Sequence, residues 1–212
     1  FEIRKNSWGM GSGVNRGSIQ IIKFDKHQPE KRLSGAGFEL WYLLNGKERQ
    51  VEYGGKGIFY TDKNGLLTLP ELTNNREYIV KEVVAPLGYY MGDTRAAYVT
   101  AKSGERATLE ISNEKLYGSL EVRKIDEKPK SPLAGAVITL YTKDGDFTSE
   151  KTTDVNGIAV FEQLEYGEYT VYETIAPVGY QLSDNRFDFA ITAHNQKEEH
   201  IILNQKIQPL VP

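Results

Sequence analysis

Two sets of three polar residues, each a lysine, a glutamate and an asparagine, recur in the same order along this chain. In both sets the asparagine follows the glutamate by 31 residues. A neutral amine is a nucleophile, a carboxamide can release ammonia, and a carboxyl group can move protons between them. The sequence therefore predicts two spontaneous Lys–Asn amide bonds, each with its glutamate as acid/base. The two sets are Lys23, Glu82 and Asn113, and Lys124, Glu173 and Asn204.

Alternation along the strands predicts that these polar side chains are buried. Ile19 and Ile21 share a strand face with Lys23, and Leu120 and Val122 share one with Lys124. Burial lowers the pKa of an amine and raises that of a carboxyl group, and contact supplies a high effective concentration. We expect the protonated carboxyl to hydrogen-bond the asparagine carbonyl oxygen. A buried Lys–Glu ion pair with asparagine as hydrogen-bond partner is the alternative.

An internal repeat predicts the domain organisation. We expect a leader or the end of an upstream domain over residues 1–17, domains over 18–115 and 116–206, and an extended tail over 207–212. The first copy carries about ten more residues between lysine and glutamate than the second, mostly within 43–60, which favours a longer hairpin or loop. The matching segments are 17–23 with 118–124, 33–36 with 133–136, 61–65 with 153–157, and 85–89 with 176–180.

Strand periodicity indicates an all-β chain of two tandem sandwiches. Short runs of alternating apolar residues are separated by glycine, proline and asparagine, and no segment sustains a helical stripe. Asn64-Gly65 and Asn156-Gly157 predict hairpin turns with positive φ at both central residues.

Composition excludes several function classes. The net charge is −3 and both signs are interspersed, which predicts neither a nucleic-acid surface nor membrane insertion in this chain. The three histidines, His27, His194 and His200, are scattered, and Asp62-Lys63-Asn64-Gly65 lacks the full ligand ladder of a calcium loop, so we expect no metal and no cofactor. The absence of cysteine suits a Gram-positive surface protein in which another covalent cross-link takes the place of disulfides.

These motifs together resemble the collagen-adhesin B-type (Cna-B, SpaA-like) domains of Gram-positive pilins and adhesins. The resemblance covers residues 17–206 and rests on the opening lysine strand, Leu-x-Gly-Ala, Asp-x-Asn-Gly and a glutamate box that spans 78–89 and 169–180. It implies reverse-Ig, prealbumin-like sandwiches with the bonds Lys23–Asn113 and Lys124–Asn204. Lys81-Glu82-Val83 departs from the family's usual Glu-Thr pair but keeps the glutamate.

The resemblance also implies partners and a location. Shaft pilins typically carry Tyr-Pro-Lys, which this sequence lacks, so an ancillary pilin at base or tip, or an adhesin stalk, is favoured. Leu210-Val211-Pro212 resembles the start of a sorting signal. We expect an extracellular, cell-wall-anchored protein that sortase joins to other pilus subunits or to peptidoglycan.

Three functions compete. The leading hypothesis is a self-cross-linked structural module of a pilus or stalk. The alternative is a domain pair that binds a host matrix protein directly, through 43–60 or 1–17. The third is a glycan-active enzyme, but the sequence shows no pair of carboxylates in a context that suits glycoside hydrolysis. We therefore expect no enzymatic turnover.

Overall fold

The computed structural model describes residues 16–92 and 96–208. This part of the chain contains 17 strands and no helix, so none of it forms a helix that could cross a membrane. It divides between Glu114 and Lys115 into two compact units. The all-β prediction is confirmed, whereas the predictions for 1–15, including most of the leader, and for 209–212 lie outside the described residues.

Unit 1 is a sandwich of two sheets. One sheet has the order β2-β1-β10-β8, with β6 also paired to β1, and the other has the order β4-β3-β7-β9, with β5 also paired to β3. The strands are β1 (Arg16–Asp25), β2 (Gln28–Arg32), β3 (Gly37–Leu44), β4 (Lys47–Gln50), β5 (Phe59–Tyr60), β6 (Leu66–Thr73), β7 (Arg76–Val84), β8 (Tyr89–Tyr90), β9 (Ala97–Ala101) and β10 (Arg106–Lys115).

Unit 2 repeats this plan with fewer strands. Its sheets have the orders β14-β11-β17 and β13-β12-β15-β16. The strands are β11 (Tyr117–Asp126), β12 (Val137–Thr142), β13 (Phe147–Thr152), β14 (Ile158–Glu165), β15 (Gly167–Ile175), β16 (Arg186–Ile191) and β17 (Lys197–Asn204).

In each unit the opening strand pairs in parallel with the closing strand. Strand β1 pairs with β10 and strand β11 with β17. The registers are equivalent, because Asp25 lies opposite Asn113 and Asp126 lies opposite Asn204. The lysine of each predicted set is therefore two residues before the position that faces its asparagine, on the same face of the sheet.

Alternation sends apolar side chains of both sheets into each core. Along β1 the odd-numbered residues from Gly17 to Asp25 are buried, and the even-numbered ones are more accessible. The core of unit 1 comprises Ile19, Ile21, Ala36, Phe38, Leu40, Leu67, Leu69, Leu72, Tyr78, Val80 and Ala101. Equivalent buried residues of unit 2 include Leu120, Val122, Ile138, Leu140, Phe161, Val171, Ile191 and Ile202.

The prediction of hairpins at Asn64-Gly65 and Asn156-Gly157 is wrong. In these pairs only the glycine has positive φ, 67° and 72°. In unit 1 the turn leads from β5 to β6, which lie in different sheets. Asp62 sets its shape, because its carboxylate accepts hydrogen bonds from the backbone N–H groups of Asn64 and Leu66.

The segment 43–60 contains a hairpin, as the corresponding segment of unit 2 does between β12 and β13, and then continues through a loop into the short strand β5. Asn45 and Gly46 have φ of 53° and 73° and join β3 to β4, as the asparagine–glycine preference of such turns requires. The prediction of a longer hairpin or loop within 43–60 is confirmed.

Candidate cross-linking sites

The three residues of the first set meet between the sheets of unit 1. Lys23 and Asn113 come from the parallel strands β1 and β10, and Glu82 reaches them from β7 in the facing sheet. The Lys23 amine lies 2.9 Å from Glu82 Oε2 and donates to Asn113 Oδ1. Glu82 Oε1 accepts from Asn113 Nδ2 at 3.1 Å. Lys23 is fully buried, and 13% of the Glu82 side chain is exposed.

The second set meets in the same way inside unit 2. Lys124 Nζ lies 3.2 Å from Glu173 Oε1, and both side chains are fully buried. Asn204 Nδ2 donates to both carboxyl oxygens of Glu173, at 3.1 and 3.0 Å. Within the described chain, Lys124 Nζ and Asn204 Oδ1 are buried without an aligned hydrogen-bond partner. The Lys124 amine therefore has the charge of Glu173 beside it but no aligned hydrogen bond, and the Asn204 carbonyl oxygen has no donor among the described residues.

Burial makes both amines easier to deprotonate. Desolvation lowers the pKa of Lys23 below its ordinary value of 10.5, although the hydrogen bond and charge of Glu82 oppose the shift. Desolvation likewise lowers the pKa of Lys124 to about 8, against the charge of Glu173. The predicted direction is confirmed for both lysines.

Each carboxyl group bridges the amine and the amide nitrogen. We expected it to hydrogen-bond the asparagine carbonyl oxygen, and this detail is wrong, because Glu82 and Glu173 both accept from Nδ2. A carboxyl in this position can take a proton from Nζ and give one to the nitrogen that leaves. The arrangement can therefore support amide exchange with release of ammonia.

Further groups complete each site. A backbone carbonyl accepts from each asparagine Nδ2: Tyr90 O at 3.0 Å in unit 1 and Gln181 O at 2.7 Å in unit 2. In unit 2 the Ser183 N–H donates to Glu173 Oε2 at 2.7 Å. Sequence reasoning missed these contacts, since a backbone group carries no residue-type signal. The Gly-Tyr pair that recurs at the end of each glutamate box was the one sequence signal that could have indicated where these carbonyl groups lie.

The Asp-x-Asn-Gly turn packs against the backbone of the lysine in each unit. The Lys23 N–H donates to Gly65 O at 2.8 Å, and a Cβ on Gly65 would lie 2.6 Å from Lys23 O. Gly157 stands in the same relation to Lys124. The glycine is thus required both by its positive φ and by the closeness of the lysine backbone.

The described residues contain no group of three or more His, Asp or Glu side chains that could hold a metal ion. His200 stacks on Phe187 with ring centroids 4.7 Å apart, within the sandwich of unit 2. The sequence has no cysteine to add to such a group.

Comparison with known proteins decides the family. A family model described as "SpaA: Prealbumin-like fold domain" matches residues 17–115 and again 118–206. The chain belongs to this family. The resemblance to SpaA-like domains and the tandem prealbumin-like fold are thereby confirmed. Membership also supports the prediction that these SpaA domains are structural and not enzymatic.

Individual proteins resemble this chain over different shares of their length. The solved structure of the Bacillus anthracis TIE protein is 32% identical, with a TM-score of 0.78 over 91% of this chain and 34% of that one. The Trypsin-resistant surface T6 protein of Streptococcus pyogenes serotype M6 is 36% identical over 72 residues, 34% of this chain and 13% of the relative. A streptococcal ancillary pilin is 24% identical, with a TM-score of 0.48 over 93% of this chain and 64% of that one. The chain thus spans only part of each of these relatives.

Proposed function

We propose that each SpaA unit closes its own Lys–Asn amide bond and that the pair serves as a load-bearing module of a Gram-positive surface pilus or stalk. The observation that carries the proposal is the buried set in unit 2. Burial of the Lys124 amine, which its ion pair with Glu173 only partly offsets, and of the Asn204 carbonyl, which has no hydrogen-bond donor among the described residues, carries a desolvation cost. A covalent bond between Lys124 and Asn204 removes the charge of the amine, and the N–H of the new amide can donate to Glu173.

The reaction balances within the three side chains. The ion pair first shares one proton, and its transfer from Nζ to the carboxylate gives a neutral amine and a neutral acid. Nζ then attacks Cγ of the asparagine, the carboxyl group protonates Nδ2, and the Cγ–Nδ2 bond breaks. Nζ returns a proton to the carboxylate, and ammonia leaves. Each site reacts once, so this is maturation and not turnover.

The position of the bond suits the bearing of tension. In unit 1 Lys23 and Asn113 are 90 residues apart in sequence but lie on neighbouring parallel strands, the first and the last. Force that enters at the start of β1 and leaves at the end of β10 would pass through the bond. The residues between Lys23 and Asn113 would carry no load, and unfolding would become slower.

We extend this proposal to the cell surface. The T6 relative is named as a surface protein, which supports an extracellular position for this chain. In the proposed setting sortase joins the protein to other subunits or to peptidoglycan, at the base or tip of a pilus or in an adhesin stalk.

Single-molecule pulling tests the mechanical role. With both bonds formed, we expect stretching from the chain ends to release none of the length enclosed by either bond. In Lys23→Met the 90 enclosed residues become free to extend, which adds roughly 300 Å at full stretch. A wild-type chain that releases this length would refute the load-bearing role. Lys143→Met, which changes an exposed lysine, is the matched control.

Direct binding to a host matrix protein is a second candidate function. Within 43–60, Leu43 and Tyr60 are 57% and 49% exposed, and the neighbouring cavity of about 230 Å³ is lined by Tyr53, Ile58 and Phe59. Exposed apolar groups beside a cavity favour an interaction surface. Replacing residues 47–58 by a short turn should abolish binding to immobilised matrix proteins, and unchanged binding would remove this candidate.

A further inference from the structure

A buried aspartate follows each reactive lysine by two residues and holds a tyrosine. Asp25 and Asp126 are each 2% exposed. The Tyr89 hydroxyl donates to Asp25 Oδ2 at 2.8 Å, and the Tyr180 hydroxyl donates to Asp126 Oδ2 at 2.9 Å. The two units thus share a second buried polar contact beside the lysine, glutamate and asparagine.

Each aspartate is itself fixed and ionised. Asp25 Oδ1 accepts from the backbone N–H groups of His27 and Gln28, at 2.8 and 3.2 Å, and Asp126 Oδ1 accepts from that of Lys128 at 2.9 Å. Burial alone would raise the pKa of Asp25, but hydrogen bonds from Tyr89 and the two backbone groups hold it below its usual value. A carboxylate accepts a phenol hydrogen bond more strongly than a neutral group does.

Each tyrosine directly precedes the carbonyl that holds the reactive amide. Tyr90 O and Gln181 O accept from Nδ2 of Asn113 and Asn204, at 3.0 and 2.7 Å. The residue opposite each asparagine in the strand register is the aspartate itself, Asp25 or Asp126. A closed path therefore runs from the opening strand through aspartate, tyrosine and backbone carbonyl to the amide of the closing strand.

We propose that Tyr89 and Tyr180, each anchored by its aspartate, are positioning residues for formation of the amide bonds. This inference rests on the proposed function. The anchored carbonyl fixes the rotation of the carboxamide, so that Nδ2 faces the glutamate and Cγ stays open to the lysine amine. When Nδ2 takes its proton and leaves as ammonia, the same carbonyl accepts its hydrogen bond throughout. The tyrosine exchanges neither protons nor electrons with the reactants.

The test follows the first bond alone. In a Lys124→Met background only Lys23 can react, so the intact mass of protein quenched at intervals during cell-free synthesis reports one loss of ammonia. We expect Tyr89→Phe to slow this loss at least about tenfold, because misplaced reactants lose effective concentration. Tyr180→Phe in the same background is the matched control, since the identical change in unit 2 should leave the rate at Lys23 unchanged.

A second control separates positioning from stability. Ile19→Val removes a buried methylene from the core of unit 1 without touching Asp25 or Tyr89, and it should leave the rate unchanged. An unchanged rate in Tyr89→Phe, or equal slowing in Ile19→Val, overturns the inference. If circular dichroism shows that Tyr89→Phe does not fold, Asp25→Asn takes its place, with slower reaction expected and an unchanged rate overturning the inference. A parent that never loses ammonia refutes the proposed function instead.

Discussion

Replacing Lys124 by methionine removes the second proposed bond with little change in packing. Lys124 is fully buried, and methionine has a similar length and no charge. Glu173 keeps its hydrogen bonds from the Ser183 N–H and from Asn204 Nδ2. The substitution therefore reports mainly on the covalent link.

The size of the effect follows from the length of the closed loop. Lys124 and Asn204 lie 80 residues apart in the sequence. Closing a loop of that length lowers the entropy of the unfolded chain by an amount that stabilises the fold by about 4.5 kcal/mol. For a domain of this size, that loss corresponds to a fall in melting temperature of roughly 20–35 °C.

Calorimetry with intact mass measures this prediction. Lys124→Met should weigh one ammonia less than its formula, from the remaining bond in unit 1, and only the transition of unit 2 should move. Unit 1 serves as the internal reference, because the two units have separate cores. Lys143→Met, a change at an exposed lysine of unit 2, should cause no comparable shift.

One result would refute the loop argument. If wild type has lost two ammonias and Lys124→Met one, yet the unit 2 transition falls by less than about 5 °C, the bond does not stabilise through loop closure. A large fall without any difference in ammonia loss would instead assign the effect to the buried lysine itself.

Three further predictions address the glutamate, pH and the supporting turn. Glu82→Gln keeps the shape but cannot shuttle protons, so intact mass should show the first bond absent or slow while Glu173 still closes the second; a complete first bond would contradict the proposed role. In Asn204→Ala the lysine stays free, and its pKa in the folded unit, about 8, lies below the ordinary value of 10.5. Between pH 8 and 10.5 the unfolded chain binds more protons than the folded one, so chemical denaturation should show unit 2 becoming more stable as pH rises. Adding Lys124→Met should abolish this pH dependence. Gly65→Ala puts a Cβ against Lys23 O at φ of +67°, so it should destabilise unit 1 by about 1–3 kcal/mol in urea titration, with unit 2 unchanged; an unaffected unit 1 would show that the turn can shift freely.

The polar members of each site were predictable because strand alternation assigns a face. Lys23 follows Ile19 and Ile21 at even spacing, so its burial follows from the sequence. Because the same three residue types recur at equivalent positions of both repeats, a chance occurrence of the two sets was improbable. The alternation of residues along a strand does not tell which strands become neighbours, however. The structure was therefore needed to show that the first and last strands pair in parallel and that the glutamate comes from the facing sheet.

A dipeptide signal gave a wrong prediction where a side chain outside the dipeptide determines the shape of the turn. Asn64-Gly65 has the composition of a two-residue hairpin, but the carboxylate of Asp62 organises a wider turn between sheets. Similarly, Asn113 Nδ2 donates both to Glu82 and to the backbone carbonyl of Tyr90, and any residue type could supply that carbonyl.

The intact mass of the purified wild-type chain, measured under denaturing conditions, tests the central claim most directly. The account predicts a mass lower than the sequence formula by two molecules of ammonia, with cross-linked peptides that join Lys23 to Asn113 and Lys124 to Asn204 after digestion. A mass equal to the formula, with all four side chains recovered in linear peptides, would contradict it.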